Sequence, residues 1–146
     1  TLTQTGAATF SLSGSGDEVS IGASPVIPDV GLGDVAVSIA DNGSMLNSTD
    51  GDTTFDFSGG DYGVTIGGFA SGDVLDFADV AGDTEAILNF SPDTDQADGE
   101  KSISVTDPAT TETVEVTLTG LTADQDSNIF GKPSFEAAFG SGALMV

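Results

Sequence analysis

The sequence predicts an all-β protein: a single β-sandwich or jelly-roll-like domain over 1–146, built from about eight to ten short antiparallel strands, with one or two helical turns near the C-terminus. Three observations lead there. Apolar residues alternate with Thr, Ser and Asp at period two in run after run, the spacing of strands with one buried face. Turn signals rich in Gly, Asn and Asp separate the runs at short intervals. Nine Phe among 38% hydrophobic residues give a chain of 146 residues enough apolar surface for one core.

The strands are read in chain order. Ala8, Phe10 and Leu12 share one strand face, with Thr9 and Ser11 on the other. Val19 and Ile21 flank Ser20, and Val35, Val37 and Ile39 alternate with Ala36 and Ser38. Phe55 and Phe57 flank Asp56; Val64 and Ile66 come next, with Phe69 beyond; Leu75 and Phe77 flank Asp76. Glu85 to Phe90 is a less regular run. Ile103 and Val105 alternate with Ser102, Ser104 and Thr106, and Val114, Val116 and Leu118 with Glu115, Thr117 and Thr119. The turns fall at Ser13–Asp17, Asp41-Asn42-Gly43, Asp50-Gly51-Asp52, Ser58–Asp61, Asp98-Gly99 and Asp107-Pro108. Val26 to Gly33 reads as an irregular loop. Thr122 to Asp126 and Ser134 to Phe139 read as the helical turns. No internal repeat of about 20–50 residues is visible.

Composition narrows the chemistry. The chain has 24 acidic residues, two Lys and no Arg, His, Cys or Trp, for a formal net charge of −22. That excludes imidazole- and thiol-based catalysis, imidazole metal sites, disulfides, zinc ribbons, iron–sulfur clusters and guanidinium clamps. It opposes binding to nucleic acid or anionic lipid, where affinity comes from neutralising negative charge. No apolar run is long enough for a transmembrane helix. Carboxylate pairs alone make a thin basis for glycoside hydrolysis without an aromatic sugar cleft, and the chain is expected not to be an enzyme. Lys101 and Lys132 are expected at the surface, each beside an Asp or Glu. The start, Thr1-Leu2-Thr3-Gln4, carries no basic segment of the kind that opens a signal peptide.

Net charge this far from zero repels itself and calls for cations. Asp outnumbers Glu 18 to 6, and many Asp sit in turns beside Gly or Asn, a placement suited to hard, oxygen-ligated ions such as Ca²⁺. Asp93, Asp95, Asp98 and Glu100, with Gly99 between, are the densest candidate cage. They resemble the front of an EF-hand loop with one extra residue and no twelfth-position Glu; a solvated hairpin loop is the plainer alternative. Asp73, Asp76 and Asp79, with Asp83, form a second set, against which stands a solvated strand face with an acidic exit loop. Asp41 with Asn42, Asp50 and Asp52 form a third. Asp124, Asp126 and Asn128 read as helix-capping groups.

Part of the chain also resembles a known family. Phe55-Asp56-Phe57-Ser58-Gly59-Gly60-Asp61-Tyr62, and then Ile66-Gly67-Gly68-Phe69-Ala70-Ser71-Gly72-Asp73-Val74-Leu75-Asp76-Phe77, resemble the C-terminal region of RTX-type proteins exported by bacterial type I secretion. Val116 to Leu121 is similar to the segment that comes after these motifs in that family, and the small-then-apolar ending Gly140 to Val146 looks like its uncleaved secretion tail. The resemblance spans about residues 53–146 and implies a bacterial extracellular protein that folds in millimolar Ca²⁺. Tandem Gly-Gly-x-Gly-x-Asp nonapeptides are missing; Gly14–Val19 and Gly59–Asp61 are single degenerate copies, so an antiparallel sandwich is expected in place of a stacked parallel roll.

The expected function is a secreted, Ca²⁺-stabilised structural subunit that assembles with itself into a filament or surface layer. Residues 1–12 would act as an edge or donor strand through Leu2, Thr3, Ala8, Phe10 and Leu12. The alternative is a Ca²⁺-dependent glycan-binding adhesion module, for which Tyr62 is the one aromatic with a polar tip.

Overall fold

The computed structural model describes residues 53–81, 85–91 and 98–146 in full. It describes 8–12, 18–21, 35–39 and 44–48 as backbone strands, with the buried side chain of Leu46. Among these residues lie eleven strands and two helices. The strands are β1 (Ala8–Leu12), β2 (Glu18–Ile21), β3 (Val35–Ile39), β4 (Ser44–Ser48), β5 (Thr53–Ser58), β6 (Tyr62–Gly67), β7 (Val74–Asp79), β8 (Ile87–Phe90), β9 (Glu100–Thr106), β10 (Thr113–Thr119) and β11 (Leu144–Met145). The helices α1 (Ala123–Asn128) and α2 (Lys132–Phe139) lie between β10 and β11.

The all-β, two-sheet expectation stands, but the strand direction is corrected. One sheet has the order β1-β3-β5-β7-β11 and the other β2-β4-β6-β10-β9-β8. Every ladder of the first sheet is parallel. So are β2–β4, β4–β6 and β6–β10 of the second. Only β10–β9 and β9–β8 are antiparallel. From β1 to β7, consecutive strands fall in opposite sheets, so the chain winds as a two-sheet parallel roll. Turns such as Ser58–Asp61 therefore do not fold a strand back on its neighbour; they carry the chain from one sheet across to the other. A coil repeats wherever Val35 lies beside Thr53 and Ser44 beside Val64. It needs no sequence repeat, because any apolar side chain of suitable size fills the inner face.

Period two fixes which face is inside. Phe55, Phe57, Leu75 and Phe77 point inward from the first sheet. Val64, Ile66, Ile103, Val105, Val114, Val116 and Leu118 point inward from the second, and all belong to one buried cluster. Phe57 stacks on Phe77 with centroids 4.5 Å apart. The helices complete this core. Thr122 caps α1, its hydroxyl accepting from Gln125 N at 3.3 Å while Gln125 Oε1 accepts from Thr122 N at 3.0 Å, a reciprocal capping box. On α2, Phe135 and Phe139 are both buried and meet Phe69, with Phe139 edge-on at 4.9 Å. The ending Gly140–Val146 is built into the fold. Leu75 N donates to Ala143 O at 2.9 Å, and Leu144 is fully buried beside β7. Val26–Gly33 lies outside the described residues.

Candidate functional site

The carboxylates picked out in the sequence have different fates. Asp73 is fully buried at the entry to β7. Its Oδ1 accepts from Thr53 N and its Oδ2 from Ala70 N, each at 2.9 Å. Ala70 O in turn accepts from Asp73 N at 3.1 Å. The carboxylate thus closes the 70–73 turn and pins the start of β5, satisfying two backbone donors that burial would otherwise leave unpaired. Asp76 is half-buried on the outer face of β7, where its Oδ1 accepts from Ala78 N at 3.0 Å, and Asp79 is exposed. Asp76 lies beside Asp56 of β5 in the parallel register, so two carboxylates sit side by side on the outside of the first sheet. Like charges directly opposed across strands destabilise the pairing unless a counter-ion screens them.

At the start of β9, Asp98 is exposed and its Oδ1 accepts from Glu100 N at 2.9 Å; Glu100 is also exposed. Between them Gly99 is buried with φ of 76°, and a Cβ there would lie 3.0 Å from Leu121 O. Gly99 N donates to Asp126 Oδ2 at 3.0 Å and Gly99 O accepts from Leu121 N at 3.0 Å. The turn is thus clasped by the chain that enters α1.

Asp126 is fully buried on α1, and it is neither a capping group nor solvated. Its Oδ1 lies 3.4 Å from Lys101 Nζ and has no hydrogen bond besides that ion pair. Lys101, expected at the surface, is only 5% exposed. It corrects that expectation by parity: Lys101, Ile103 and Val105 share the inward face of β9. Period two already placed Lys101 inward, and only its charge argued otherwise. Asp124 is exposed, and its backbone carbonyl accepts from Asn128 Nδ2 at 2.7 Å.

These side chains do not gather into a cage. Among the described residues no group of three or more acidic, His or Cys side chains is placed to hold a metal ion. Asp73 and Asp126, the two most buried members of the candidate sets, are committed to backbone amides and to Lys101. The described carboxylates therefore do not fit a Ca²⁺ centre by themselves. Asp41, Asn42, Asp50, Asp52, Asp83, Asp93 and Asp95 lie outside the described residues.

Tyr62 faces inward at the start of β6 and is 8% exposed. Its hydroxyl donates to Ser58 O at 2.8 Å, and burial pushes its pKa well above the ordinary tyrosine value. It offers no open aromatic platform. Among the described residues the exposed aromatic is Phe130, 78% accessible between the two helices.

Strand edges are the other candidate surface. Among the described residues, β1 has β3 as its one neighbour, β2 has β4, and β8 has β9. Ala8, Phe10 and Leu12 lie on β1, which ends its sheet among the described residues; Leu2 and Thr3 lie outside the described residues. The edge at β8 has no counterpart in the sequence reading, since the run from Glu85 to Phe90 gives no sign of which strand ends the sheet. No helix among the described residues is long and apolar enough to cross a membrane. Comparison with protein-family models, with curated proteins and with solved structures finds no match for this chain.

Proposed function

We propose that the chain is a secreted, acidic structural subunit that assembles with itself in the extracellular medium, as a filament or surface layer, with Ca²⁺ relieving its self-repulsion. The observation that supports this reading is the presence, among the described residues, of strand edges on both sheets in a molecule of net charge −22. Edges offer rows of main-chain donors and acceptors to another chain, and acidic outer faces such as Asp56–Asp76 oppose close approach until cations screen them. The protein then works through backbone pairing and charge, without turnover. Any specific Ca²⁺ ligation falls to Asp93 and Asp95 with the exposed Asp98 and Glu100, and to Asp41, Asn42, Asp50 and Asp52 on either side of β4, because Asp73 and Asp126 are already engaged.

Sedimentation velocity and electron microscopy, in millimolar Ca²⁺ and after excess chelator, test this reading. Polymers in Ca²⁺ that dissociate on chelation are expected. Monomers under both conditions at every concentration would overturn the assembly reading, and polymers indifferent to chelator would overturn its cation part. Deleting residues 1–6 is expected to reduce assembly with the fold retained, as read by circular dichroism; polymerisation at the wild-type level would remove the donor-strand part.

A further inference from the structure

We infer that β8 is a self-docking edge: the Ile87–Phe90 strands of two copies pair antiparallel about a two-fold axis, running the six-stranded sheet of one molecule into that of the next. This rests on the assembly reading above and deepens it by naming the strand and its register.

The backbone sets the geometry. Ser91 N donates to Ser102 O at 3.0 Å, and the register pairs Asn89 with Ser104 and Ile87 with Thr106. Hydrogen-bonding direction alternates along a strand, so the odd positions face β9 and the amides and carbonyls of Leu88 and Phe90 face the open edge. Among the described residues no strand lies on that side. Ile87-Leu88-Asn89-Phe90 contains no Lys, no Pro and no bulge to turn another strand away, and shortness is the one usual protection of an edge that it keeps.

Side chains point the same way. Ile87 is 56% exposed on the outer face. On the inner face, Leu88 and Phe90 pack against the core but stay only half-buried, although Phe90 lies 6.3 Å from Phe135 of α2. A neighbouring strand would finish covering them. None of the 24 carboxylates lies in Ile87–Phe90, while Glu85 precedes the strand and Asp93 and Asp95 follow it, so two copies of net charge −22 approach here once cations screen those acidic ends, as the assembly reading requires. A cationic partner would be drawn instead to the acidic faces. Two-fold pairing of one strand with itself is antiparallel, which continues the sense of β10–β9 and β9–β8.

Joining the outward amides fixes the register. Leu88 lies opposite Phe90 of the second copy, and Asn89 lies opposite Asn89 in the closer pair that makes no hydrogen bonds. The chain has no cysteine, so a single one reports cleanly. Asn89→Cys is expected to oxidise to a covalent dimer about tenfold faster than Ile87→Cys, whose thiol would face Ser91 and stand away from its own copy. Both positions are exposed, so the fold should survive, checked by circular dichroism. As a second variant, Leu88→Pro removes one outward amide without touching the β9 ladder and is expected to lower the association constant. If the wild type assembles but Asn89→Cys cross-links no faster than Ile87→Cys, this inference falls and the assembly reading stands. A wild type that remains monomeric, with no preferred cross-link, overturns both.

Discussion

Asp73 gives both carboxylate oxygens to backbone amides twenty residues and three residues away, so its charge serves the fold. Asp73→Asn keeps the shape but puts an amide donor where one oxygen accepts, leaving a buried N–H unpaired. A loss of about 2–3 kcal/mol is expected from the urea midpoint at unchanged slope, and a loss below about 0.5 kcal/mol would contradict the clasp. Tyr62 predicts the pH response. Burial, opposed in part by the hydroxyl's bond to Ser58, raises its pKa above the unfolded value of about 10. A raised folded pKa contributes stability that is present below pH 10 and is lost as the pH climbs above it. As the single tyrosine, Tyr62 is expected to ionise only as the protein unfolds, so phenolate absorbance and circular dichroism should change together at alkaline pH. Ionisation near pH 10 with the fold intact would contradict its burial. Tyr62→Phe should remove this alkaline component. The sequence places Tyr62 between a turn and a strand with no parity partner before it, so its inward direction becomes clear only from Val64 and Ile66.

At the level of elements, the Lys101–Asp126 pair joins β9 to α1, and the Asp126–Gly99 bond joins α1 to the turn before β9. Lys101→Met leaves a buried carboxylate without its cation and is expected to cost about 3–5 kcal/mol; Asp126→Leu is expected to cost a similar amount. The double variant should cost clearly less than the two together, since neither charge remains. Additive losses, measured by denaturant titration, would show that the two side chains do not act as a pair. Strand positions are legible where alternation is strong: β5, β7, β9 and β10 fall where Phe55/Phe57, Leu75/Phe77, Ile103/Val105 and Val114/Leu118 predict. Strand β4 is not legible, because Met45 and Leu46 are adjacent and its flanks are Ser and Asn, so it has no period. Strand β11 is not legible either, because two residues cannot show one. The helical turn at Thr122 is legible from its cap, whereas the buried role of Asp126 is not, because helix position alone does not say which face meets β9.

For the whole molecule, the charge of −22 makes stability depend on ionic conditions. Repulsion among surface carboxylates such as Asp56 and Asp76 is screened at a Debye length that shrinks from about 30 Å at 0.01 M salt to about 3 Å at 1 M. The melting temperature is expected to rise by several degrees over that range of NaCl, and a flat response would show that self-repulsion does not limit stability. The sequence by itself determined that the chain is β-rich, which apolar residues of the clearest strands face the core, where most strands lie, and that its surface is overwhelmingly anionic. All of this comes from period two and composition, which are local. Strand direction was decided only by tertiary structure. Parallel sheets usually announce themselves by continuous apolar runs because both faces are buried. Here each sheet buries one face only, so parallel strands carry the alternation of antiparallel ones, and a Gly–Asp turn between sheets reads like a hairpin. Tertiary structure likewise decided which carboxylates were drawn inward, because the pairing of Asp73 with Thr53 and of Asp126 with Lys101 depends on which segments the roll brings together.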